Sequence, residues 1–421
     1  MADHTAASAR VKILGTTGSA GAYALRDFLQ RGDVPFDWIQ LAGDDQARAE
    51  AGVDNLADPR LPVCIFPDGS RLENPTIQQV TEKLGWFHQP AHAEYDLAIY
   101  GAGPAGLSAA VYGASEGLKT VLVERSVAGG QAGTSSKIEN YLGFPSGISG
   151  ADLAERAREQ ACRFGVDILL AREAVSGEFT AGKGIGHLAD GSKIVSRASV
   201  CATGIQYNRL NLPNEQRLAG AGVFYGAGAS EASLCAQEHV IVVGGGNSAG
   251  QAAMHFSRYA SKVTIVIRDA CLKITLSRYL VDRIAESKNI EVLSSSEVTA
   301  ISGETVLENL EVTNRKTGQT KSLATRWLFI CIGGAPHTDW AIDAGIQRDE
   351  AGYLLTGPDM FVDGRPPSTW PLDRSPYYLE TSQPGMFAAG DVRHGSVKRC
   401  ASAVGEGAMA VTFVHRYLAD V

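Results

Sequence analysis

Paired cysteines are missing from this sequence. The seven cysteines are spread widely, no Cys-x-x-Cys motif occurs, and none has the spacing of a metal site; they stand at positions 64, 162, 201, 235, 271, 331 and 400. Without a disulfide framework or a metal cluster, the thiols are expected to be reduced and mostly buried, as in a cytoplasmic protein. We therefore expect no bound metal.

Apolar targeting segments are also missing. Met1 to Thr5 starts no signal-peptide run, so we expect a cytoplasmic location. The uncharged stretch from Leu97 to Ser115 has the length of a membrane span, but four glycines and a proline interrupt it, and we expect no membrane segment. A net charge of −8 argues against nucleic acid as a partner. With 44% hydrophobic and 20% charged residues in 421, the composition is that of a globular chain of two to four domains.

A glycine-rich loop between two predicted strands organises the chain. The pattern is a strand at 96–100, the loop Gly101-Ala-Gly-Pro-Ala-Gly106, a helix at 107–116 and a strand at 120–124. Gly101 permits the tight turn, Gly103 lets a pyrophosphate approach the backbone, and Gly106 lets helix and strand pack closely. Glu124 ends the second strand, where an acid binds ribose hydroxyls. The pattern predicts a dinucleotide-binding unit.

A second unit of the same kind follows later. A strand at 239–243 leads into Gly244-Gly-Gly246-Asn-Ser-Ala249, a helix to about residue 259 and a strand at 262–267. Arg268, not an acid, follows this strand, and an arginine there accommodates the 2′-phosphate of NADPH. The negative charge of Asp269 would oppose that phosphate, which leaves NADH possible.

The N-terminal segment is predicted to be a separate domain of order βαβαββα, spanning about residues 10–90. This order resembles thioredoxin and glutaredoxin, and Leu61-Pro62 matches the cis-proline of that family. The family's Cys-x-x-Cys would fall at Ser19-Ala-Gly-Ala22, where no cysteine stands, and Cys64 is alone. Two roles stay open for this domain: docking or dimerisation, or a vestigial cover. Residues 88–94 are predicted to be a linker.

From residue 94 onward the chain resembles the low-molecular-weight thioredoxin reductases. The segments that carry the resemblance are Gly129-Gly130-Gln131, Glu139-Asn140-Tyr141, Cys201-Ala-Thr203-Gly204, Gly385 to Asp391 and Val397 to Ala401. The resemblance implies two nested Rossmann-like domains of α/β class: a split FAD-binding domain at 94–211 and 332–421, and an inserted NAD(P)H-binding domain at 212–331. It also implies a homodimer and hinges near 207–211 and 331–334.

The resemblance assigns the binding residues. The FAD site would comprise Gly101, Gly103, Pro104, Ala105, Gly106, Glu124, Gly130, Gln131, Asn140, Thr203, Gly204, Gly390, Asp391, Arg399, Cys400 and Ala401. The NADPH site would comprise Gly244, Gly246, Asn247, Ser248, Ala249, Arg268 and Lys273. Lys273 stands where the family has another basic residue, whereas Asp269 replaces a family arginine.

The reductase dithiol is absent as well, because Gly226 and Ala229 stand at its two positions. Without it, no relay leads from flavin to thioredoxin. We therefore expect an FAD-dependent oxidoreductase that takes hydride from NADPH and passes electrons directly from flavin to an unidentified small-molecule or protein acceptor. No catalytic residue is assigned; Cys400 is the one thiol expected near the flavin, and it is expected to be structural.

Other functions remain open. Thioredoxin reductase-like ferredoxin/flavodoxin–NADP reductases also lack the dithiol, but they carry a C-terminal extension. Disulfide reduction through a partner's thiols is a further enzymatic alternative, and a flavin-bound redox sensor or scaffold is the non-enzymatic one. The long segment 357–379 is expected to be a lid or a contact surface.

Overall fold

The computed structural model describes residues 10–32, 34–135, 137–180, 182–226 and 229–420. The chain divides into two compact units. The first contains Met1–Val80, Thr134–Ser136 and Tyr207–Gly333, and the second contains Thr81–Gly133, Lys137–Gln206 and Gly334–Val421. The N-terminal segment and the second glycine-rich loop therefore share one unit, and the first glycine-rich loop lies in the other.

The N-terminal segment has the predicted βαβαββα order. Its elements are β1 (Val11–Gly15), α1 (Ala20–Arg31), β2 (Phe36–Gln40), α2 (Asp44–Gln46, extended by a π turn at Ala47–Ala51), β3 (Val63–Ile65), β4 (Arg71–Glu73) and α3 (Ile77–Lys83). The sheet order is β2-β1-β3-β4, with β1 parallel to β2 and antiparallel to β3. Helix α1 begins at Ala20 because the Ser19 hydroxyl caps it, accepting the Ala22 N–H at 3.2 Å. The Leu61–Pro62 peptide bond is cis, as expected.

The segment predicted to be a linker at 88–94 is held in place within the second unit. The buried carboxylate of Asp167 lies 3.0 Å from Nε2 of His88 and accepts the Ala91 N–H at 2.7 Å. Arg172 donates from Nη2 to the His88 carbonyl at 2.9 Å. The predicted linker therefore has no regular secondary structure, and side chains distant in sequence hold it in place.

The second unit begins with the predicted strand–loop–helix–strand pattern. Its elements are β5 (Tyr95–Tyr100), α4 (Pro104–Ser115), β6 (Thr120–Val123), α5 (Gly150–Arg163), β7 (Asp167–Leu169), β8 (Ala174–Thr180), β9 (Lys183–Leu188) and β10 (Lys193–Cys201). The sheet order is β7-β6-β5-β10-β9-β8. Strands β5, β6, β7 and β10 are parallel, whereas β8 and β9 form an antiparallel hairpin. Helix α4 starts at Pro104, inside the loop, because proline suits the first turn.

The inserted segment repeats this plan. Its elements are β11 (Gln206–Tyr207), α6 (Glu215–Leu218), β12 (Val223–Tyr225), β13 (His239–Val243), α7 (Asn247–Phe256), β14 (Lys262–Val266), α8 (Arg278–Glu286), β15 (Ile290–Leu293), β16 (Ser296–Ser302), β17 (Asn309–Asn314), β18 (Thr320–Ala324) and β19 (Trp327–Ile330). A parallel sheet has the order β12-β19-β13-β14-β15, and β16-β17-β18 form an antiparallel sheet. The buried Val and Ile residues of β13 and β14 explain why these strands lie in the sheet interior.

The C-terminal segment completes the second unit with β20 (Gly334–Ala335), α9 (Trp340–Asp343), β21 (Met386–Ala388) and α10 (Cys400–Asp420). Strand β21 pairs in parallel with β10. Helix α10 packs closely on α4, because a Cβ built at Gly407 would lie 2.1 Å from the Ala105 carbonyl oxygen. Across the residues described here, no helix has both the length and the apolar character needed to cross a membrane.

The long segment at 357–379 packs on the chain's own C-terminal helix. Arg374 forms two hydrogen bonds to the buried carboxylate of Glu380, at 2.7 and 3.0 Å. The rings of Tyr377 and Phe413, a residue of α10, stack with centroids 5.5 Å apart. These contacts make the end of the segment an integral part of the second unit.

Within the first unit, α1 of the N-terminal segment packs on the inserted segment. Arg26 donates from Nη2 to both carboxylate oxygens of Glu231 at 3.1 and 3.0 Å, and both side chains are buried. The rings of Tyr23 and Phe224 lie 5.0 Å apart. Gly220 has a φ of +75°, and a Cβ built there would lie 3.1 Å from both the Ala20 Cα and the Tyr23 ring. The contact is therefore close-packed and contains a buried ion pair.

Candidate dinucleotide-binding sites

The glycines of the first loop have different structural reasons. Gly101 has a φ of +103°, and a Cβ there would lie 2.4 Å from the Ala202 carbonyl oxygen. A Cβ on Gly106 would lie 1.8 Å from the Gly101 carbonyl oxygen. At Gly103, the residue before α4, the nearest atom is 4.0 Å from a built Cβ. The fold itself therefore requires the outer two glycines, while the middle one borders open space at a helix N-terminus, which suits a phosphate.

The predicted ribose acid lies at this loop. One carboxylate oxygen of Glu124 accepts the Ala102 N–H at 2.8 Å, and the other accepts the Ser126 N–H at 2.9 Å. Glu124 is 8% exposed, so these two backbone donors hold an otherwise costly buried carboxylate. Each oxygen retains a lone pair that can accept a hydroxyl hydrogen.

Two of the motif segments that the resemblance assigned to FAD lie near one another. Gly130 has a φ of +53°, and a Cβ there would lie 3.0 Å from the Gly103 Cα. Gln131 donates from Nε2 to the Ile205 carbonyl at 2.6 Å, which ties it to the chain just after Thr203 and Gly204. Asn140, by contrast, is exposed on the protein surface.

A carboxylate that sequence reasoning missed holds the C-terminal motif. Glu406 of α10 accepts the Gly390 N–H at 2.7 Å and an Arg393 Nη2–H at 2.7 Å. Burial raises the pKa of the neighbouring Asp391, Lys398 opposes that rise, and Glu406 adds to it. A lone glutamate inside a helix belongs to no motif, so no sequence signal marked Glu406.

An apolar cavity of about 170 Å³ lies in the second unit, bordered by residues of three helices and two loops. Pro104, Gly129, Tyr141 and Cys400 are among its lining residues. Burial, with a contribution from Asp391, raises the pKa of the Cys400 thiol to about 11. Cys400 is therefore protonated at neutral pH and is a poor nucleophile. Arg399 and Ala401 beside it are exposed.

These residues fit FAD. Gly103 leaves room at a helix N-terminus for a pyrophosphate, Glu124 offers a held carboxylate for a ribose, and an apolar cavity suits a flat ring system. Among the residues that the structure covers, no group of three or more His, Cys, Asp or Glu side chains is arranged to hold a metal ion.

The second loop repeats the geometry of the first. Gly244 has a φ of +136°, and a Cβ there would lie 2.2 Å from the Cys331 carbonyl oxygen. Gly246 precedes α7, and in the described part of the chain a built Cβ there would have no neighbouring atom within 4 Å outside the adjoining residues and helix backbone. The buried methyl of Ala249 lies 3.4 Å from the Cβ built at Gly244, so alanine fits the third small position. This loop can therefore bind a second pyrophosphate.

The polar residues around the second loop have separate roles. The Asn247 side-chain oxygen accepts the Ser277 N–H at 2.8 Å, so it braces the loop, while Ser248 is exposed. Thr275, which sequence reasoning missed, donates its hydroxyl to the Gly245 carbonyl at 2.7 Å. Arg268 and Lys273 are both exposed, as groups that bind a solvent-facing phosphate would be.

Gly226, predicted to stand at the first position of a reductase dithiol, has little space for a side chain. Gly226 has a φ of +84°, and a Cβ built there would lie 2.5 Å from the Tyr207 hydroxyl oxygen. The Cys331 thiol donates to the Gly226 carbonyl at 3.3 Å. Residues 227 and 228 lie outside the described residues, and Ala229 begins a short 3₁₀ helix, Ala229–Cys235. Cys235 is buried, with its thiol directed to the Glu231 carbonyl at 3.2 Å.

Residues 19–22, predicted to occupy the place of a thioredoxin-type dithiol, are also closely packed. Ser19 uses its hydroxyl to cap α1, and Ala22 is completely buried. A Cβ on Gly21 would lie 3.3 Å from Cδ of Pro62. The segment therefore forms a packed helix start.

Comparison with known proteins covers most of the chain. Residues 95–407 match the model of the family described as pyridine nucleotide-disulphide oxidoreductase. A thioredoxin reductase of Streptomyces clavuligerus is 35% identical over 327 residues, which cover 77% of this chain and 94% of that protein. A Clostridium pasteurianum protein described as a 34.2 kDa protein in the rubredoxin operon is 33% identical over 77% of this chain and 97% of its own length.

Solved structures agree with the sequence relatives. The thioredoxin reductase of Lactococcus lactis is 29% identical and superposes with a TM-score of 0.69 over 78% of this chain and all of its own. The thioredoxin reductase of T. acidophilum is 30% identical, with a TM-score of 0.68 over 77% of this chain and 99% of its own.

Proposed function

Because this chain belongs to the pyridine nucleotide-disulphide oxidoreductase family, and is an FAD-dependent NAD(P)H oxidoreductase of the thioredoxin reductase-like group, we propose that it delivers electrons from NADPH to an acceptor without a protein dithiol. The observation that carries the proposal is Gly226. Its left-handed backbone and its closeness to Tyr207 would strain any side chain at this position, including the first cysteine of a reductase pair.

The chain's own residues supply binding and orientation. Gly101 to Gly106 and Glu124 would hold the ADP half of FAD, and Glu406 fixes the Gly390-Asp391 turn, which would bind the ribityl chain. Gly244 to Ala249 hold NADPH, with Arg268 and Lys273 at its 2′-phosphate. FAD, when bound, supplies the two-electron carrier between nicotinamide and acceptor. The remaining catalytic contribution is positioning of the two rings.

The Cys400 thiol does not replace the missing pair in this proposal. With a pKa of about 11, the thiol is almost entirely protonated at neutral pH, and disulfide exchange requires a thiolate. It lines the cavity beside Pro104 and Tyr141 and serves as a small packing residue. The acceptors that we expect are therefore compounds that can take electrons directly from a reduced flavin, such as quinones, ferricyanide or oxygen.

The N-terminal residues 10–90 are proposed to be a thioredoxin-like domain that docks in cis. The four-stranded sheet order and the βαβαββα sequence support the fold. The buried Arg26–Glu231 pair and the Tyr23–Phe224 contact support docking on the inserted segment of the same chain. The split domain boundaries expected at 94–211, 212–331 and 332–421 belong to this proposal, as does a homodimer.

The location proposed is the cytoplasm. All seven cysteines are free, and two of them, Cys162 and Cys271, are exposed, as a reducing compartment allows.

Steady-state turnover with NADPH tests the function. We expect rapid reduction of a quinone or ferricyanide and negligible reduction of thioredoxin or of an aromatic disulfide. The control is Cys400→Ser, which should leave quinone turnover unchanged. Fast thioredoxin turnover that this substitution abolishes would overturn the proposal and make Cys400 the reactive thiol.

A further inference from the structure

The two glycine-rich loops have matching backbone hydrogen bonds. At the first loop the Gly101 N–H donates to the Val123 carbonyl at 2.8 Å, and at the second loop the Gly244 N–H donates to the Val266 carbonyl at 3.0 Å. The residue after each valine then bonds to the third strand: Glu124 to Leu169 at 2.9 Å, and Ile267 to Leu293 at 3.0 Å. Ile267 is therefore the register equivalent of Glu124.

The equivalent position has no acid, yet its side chain reaches the same place. Glu124 touches the residue between the first two glycines, because its carboxylate accepts the Ala102 N–H. Ile267 lies beside the corresponding residue of the second loop, because its Cγ2 would be 3.6 Å from a Cβ built at Gly245. The strand end beside the second loop therefore presents an apolar side chain where the strand end beside the first loop presents a carboxylate.

A carboxylate returns two residues later. Oδ2 of Asp269 lies 3.9 Å from the Cβ built at Gly245. The backbone on both sides of Arg268 is held, because Ser296 donates to the Ile267 carbonyl at 2.8 Å and Ser295 to the Asp269 carbonyl at 2.8 Å. These two backbone hydrogen bonds therefore fix the backbone position of Asp269 at the end of the strand.

We propose that Asp269, at the second glycine-rich loop, discriminates between the two nicotinamide dinucleotides. Its carboxylate accepts hydrogen bonds from the adenosine ribose hydroxyls, the role proposed for Glu124 at the first loop. Its charge supports NADH, whose 2′-hydroxyl donates to it, and opposes the 2′-phosphate that Arg268 and Lys273 attract. The protein then accepts both donors, and Asp269 lowers its preference for NADPH. This inference rests on the proposed placement of NAD(P)H at Gly244 to Ala249.

The test measures the binding of the oxidised nucleotides NAD⁺ and NADP⁺ to the FAD-loaded protein by titration calorimetry. Asp269→Asn keeps the shape and removes the charge. We expect it to raise NADP⁺ affinity about tenfold relative to NAD⁺, the change typical of one charged contact. The matched control is Asp282→Asn, which removes an exposed charge paired with Arg278 on α8 of the same segment and should leave the ratio unchanged.

Two results would overturn the inference: a ratio of affinities that Asp269→Asn changes less than twofold, or an equal change in Asp282→Asn. Gly246→Val separates this failure from that of the proposed site. If Gly246→Val abolishes binding of both nucleotides while Asp269→Asn has no effect, the site stands and only the role of Asp269 is wrong. If Gly246→Val has no effect, the placement of the nucleotide at this loop is itself wrong.

Discussion

The two glycine-rich loops share a backbone but differ in the acid that follows. In both loops the first glycine has a left-handed backbone with no space for a Cβ, the third small residue lies against the first glycine, and the second glycine borders open space. At the first loop a buried glutamate accepts a backbone N–H of the loop. At the second loop an isoleucine stands in that register, and the nearby acid is an exposed aspartate. The two loops therefore share their backbone geometry and differ at the strand end that follows each of them.

The largest expected effect comes from filling the open position of one loop. Gly103→Val should give a folded, colourless protein, because the built Cβ meets no protein atom closer than 4.0 Å and the added side chain intrudes only on the pyrophosphate. Absorbance of the purified protein measures bound FAD. Gly246→Val is the counterpart, expected to stay yellow but not to be bleached by NADPH. A yellow Gly103→Val protein with wild-type FAD content would show that the first loop does not bind FAD.

The second effect concerns the attachment of the N-terminal segment to the inserted one. Arg26→Ala removes one partner of the buried Arg26–Glu231 ion pair, which should cost about 3–5 kcal/mol of unfolding free energy. Urea denaturation measures the loss. Arg10→Ala is the matched control, since its pair with Asp37 is roughly half exposed and should be worth less than about 1 kcal/mol. Equal losses in the two variants would mean that Arg26 and Glu231 do not act as a buried pair.

The third effect separates the two nucleotides. Arg268→Ala should weaken NADPH roughly tenfold or more while leaving NADH nearly unaffected, because a charge-assisted contact to phosphate contributes about 1.5–3 kcal/mol. Stopped-flow reduction of the flavin at varied nucleotide concentration gives the dissociation constants of NADPH and NADH. A wild type that already prefers NADH by a wide margin, with no change on substitution, would remove Arg268 from the site.

The smallest effect is expected at Cys400. Cys400→Ser should change turnover with a quinone less than about twofold, because a protonated thiol contributes packing alone. Iodoacetamide should modify exposed Cys162 and Cys271 well before Cys400, whose reaction should accelerate only as pH rises towards its pKa of about 11. Mass spectrometry of the labelled peptides at several pH values measures the order. Rapid labelling of Cys400 at pH 7 would contradict the raised pKa.

The sequence predicted the repeated parts of this protein well. Both glycine loops, Glu124 at the strand end, and the βαβαββα order of the N-terminal segment were readable, because turns, helix starts and alternating strands depend on neighbouring residues. The cis bond before Pro62 was also anticipated by resemblance.

Contacts between residues far apart in sequence were not readable. Glu406, Thr275 and the Arg26–Glu231 pair carry no motif, since each is an ordinary polar residue until folding brings its partner close. The contacts that hold the segment at 88–94 could not be predicted either. Asp167 and Arg172, which make these contacts, lie more than seventy residues away in the sequence.

Gly226 shows best where local pattern ends and tertiary structure begins. The sequence alone shows that a glycine stands at position 226 and that the chain contains no Cys-x-x-Cys motif. Only the folded chain decided that a side chain there would be strained, because a built Cβ would lie 2.5 Å from the Tyr207 hydroxyl oxygen and the backbone is left-handed. Likewise the sequence placed Arg268 and Asp269 side by side with opposite charges. The fold decided that the carboxylate reaches the dinucleotide loop, because two backbone hydrogen bonds hold the strand end that carries it.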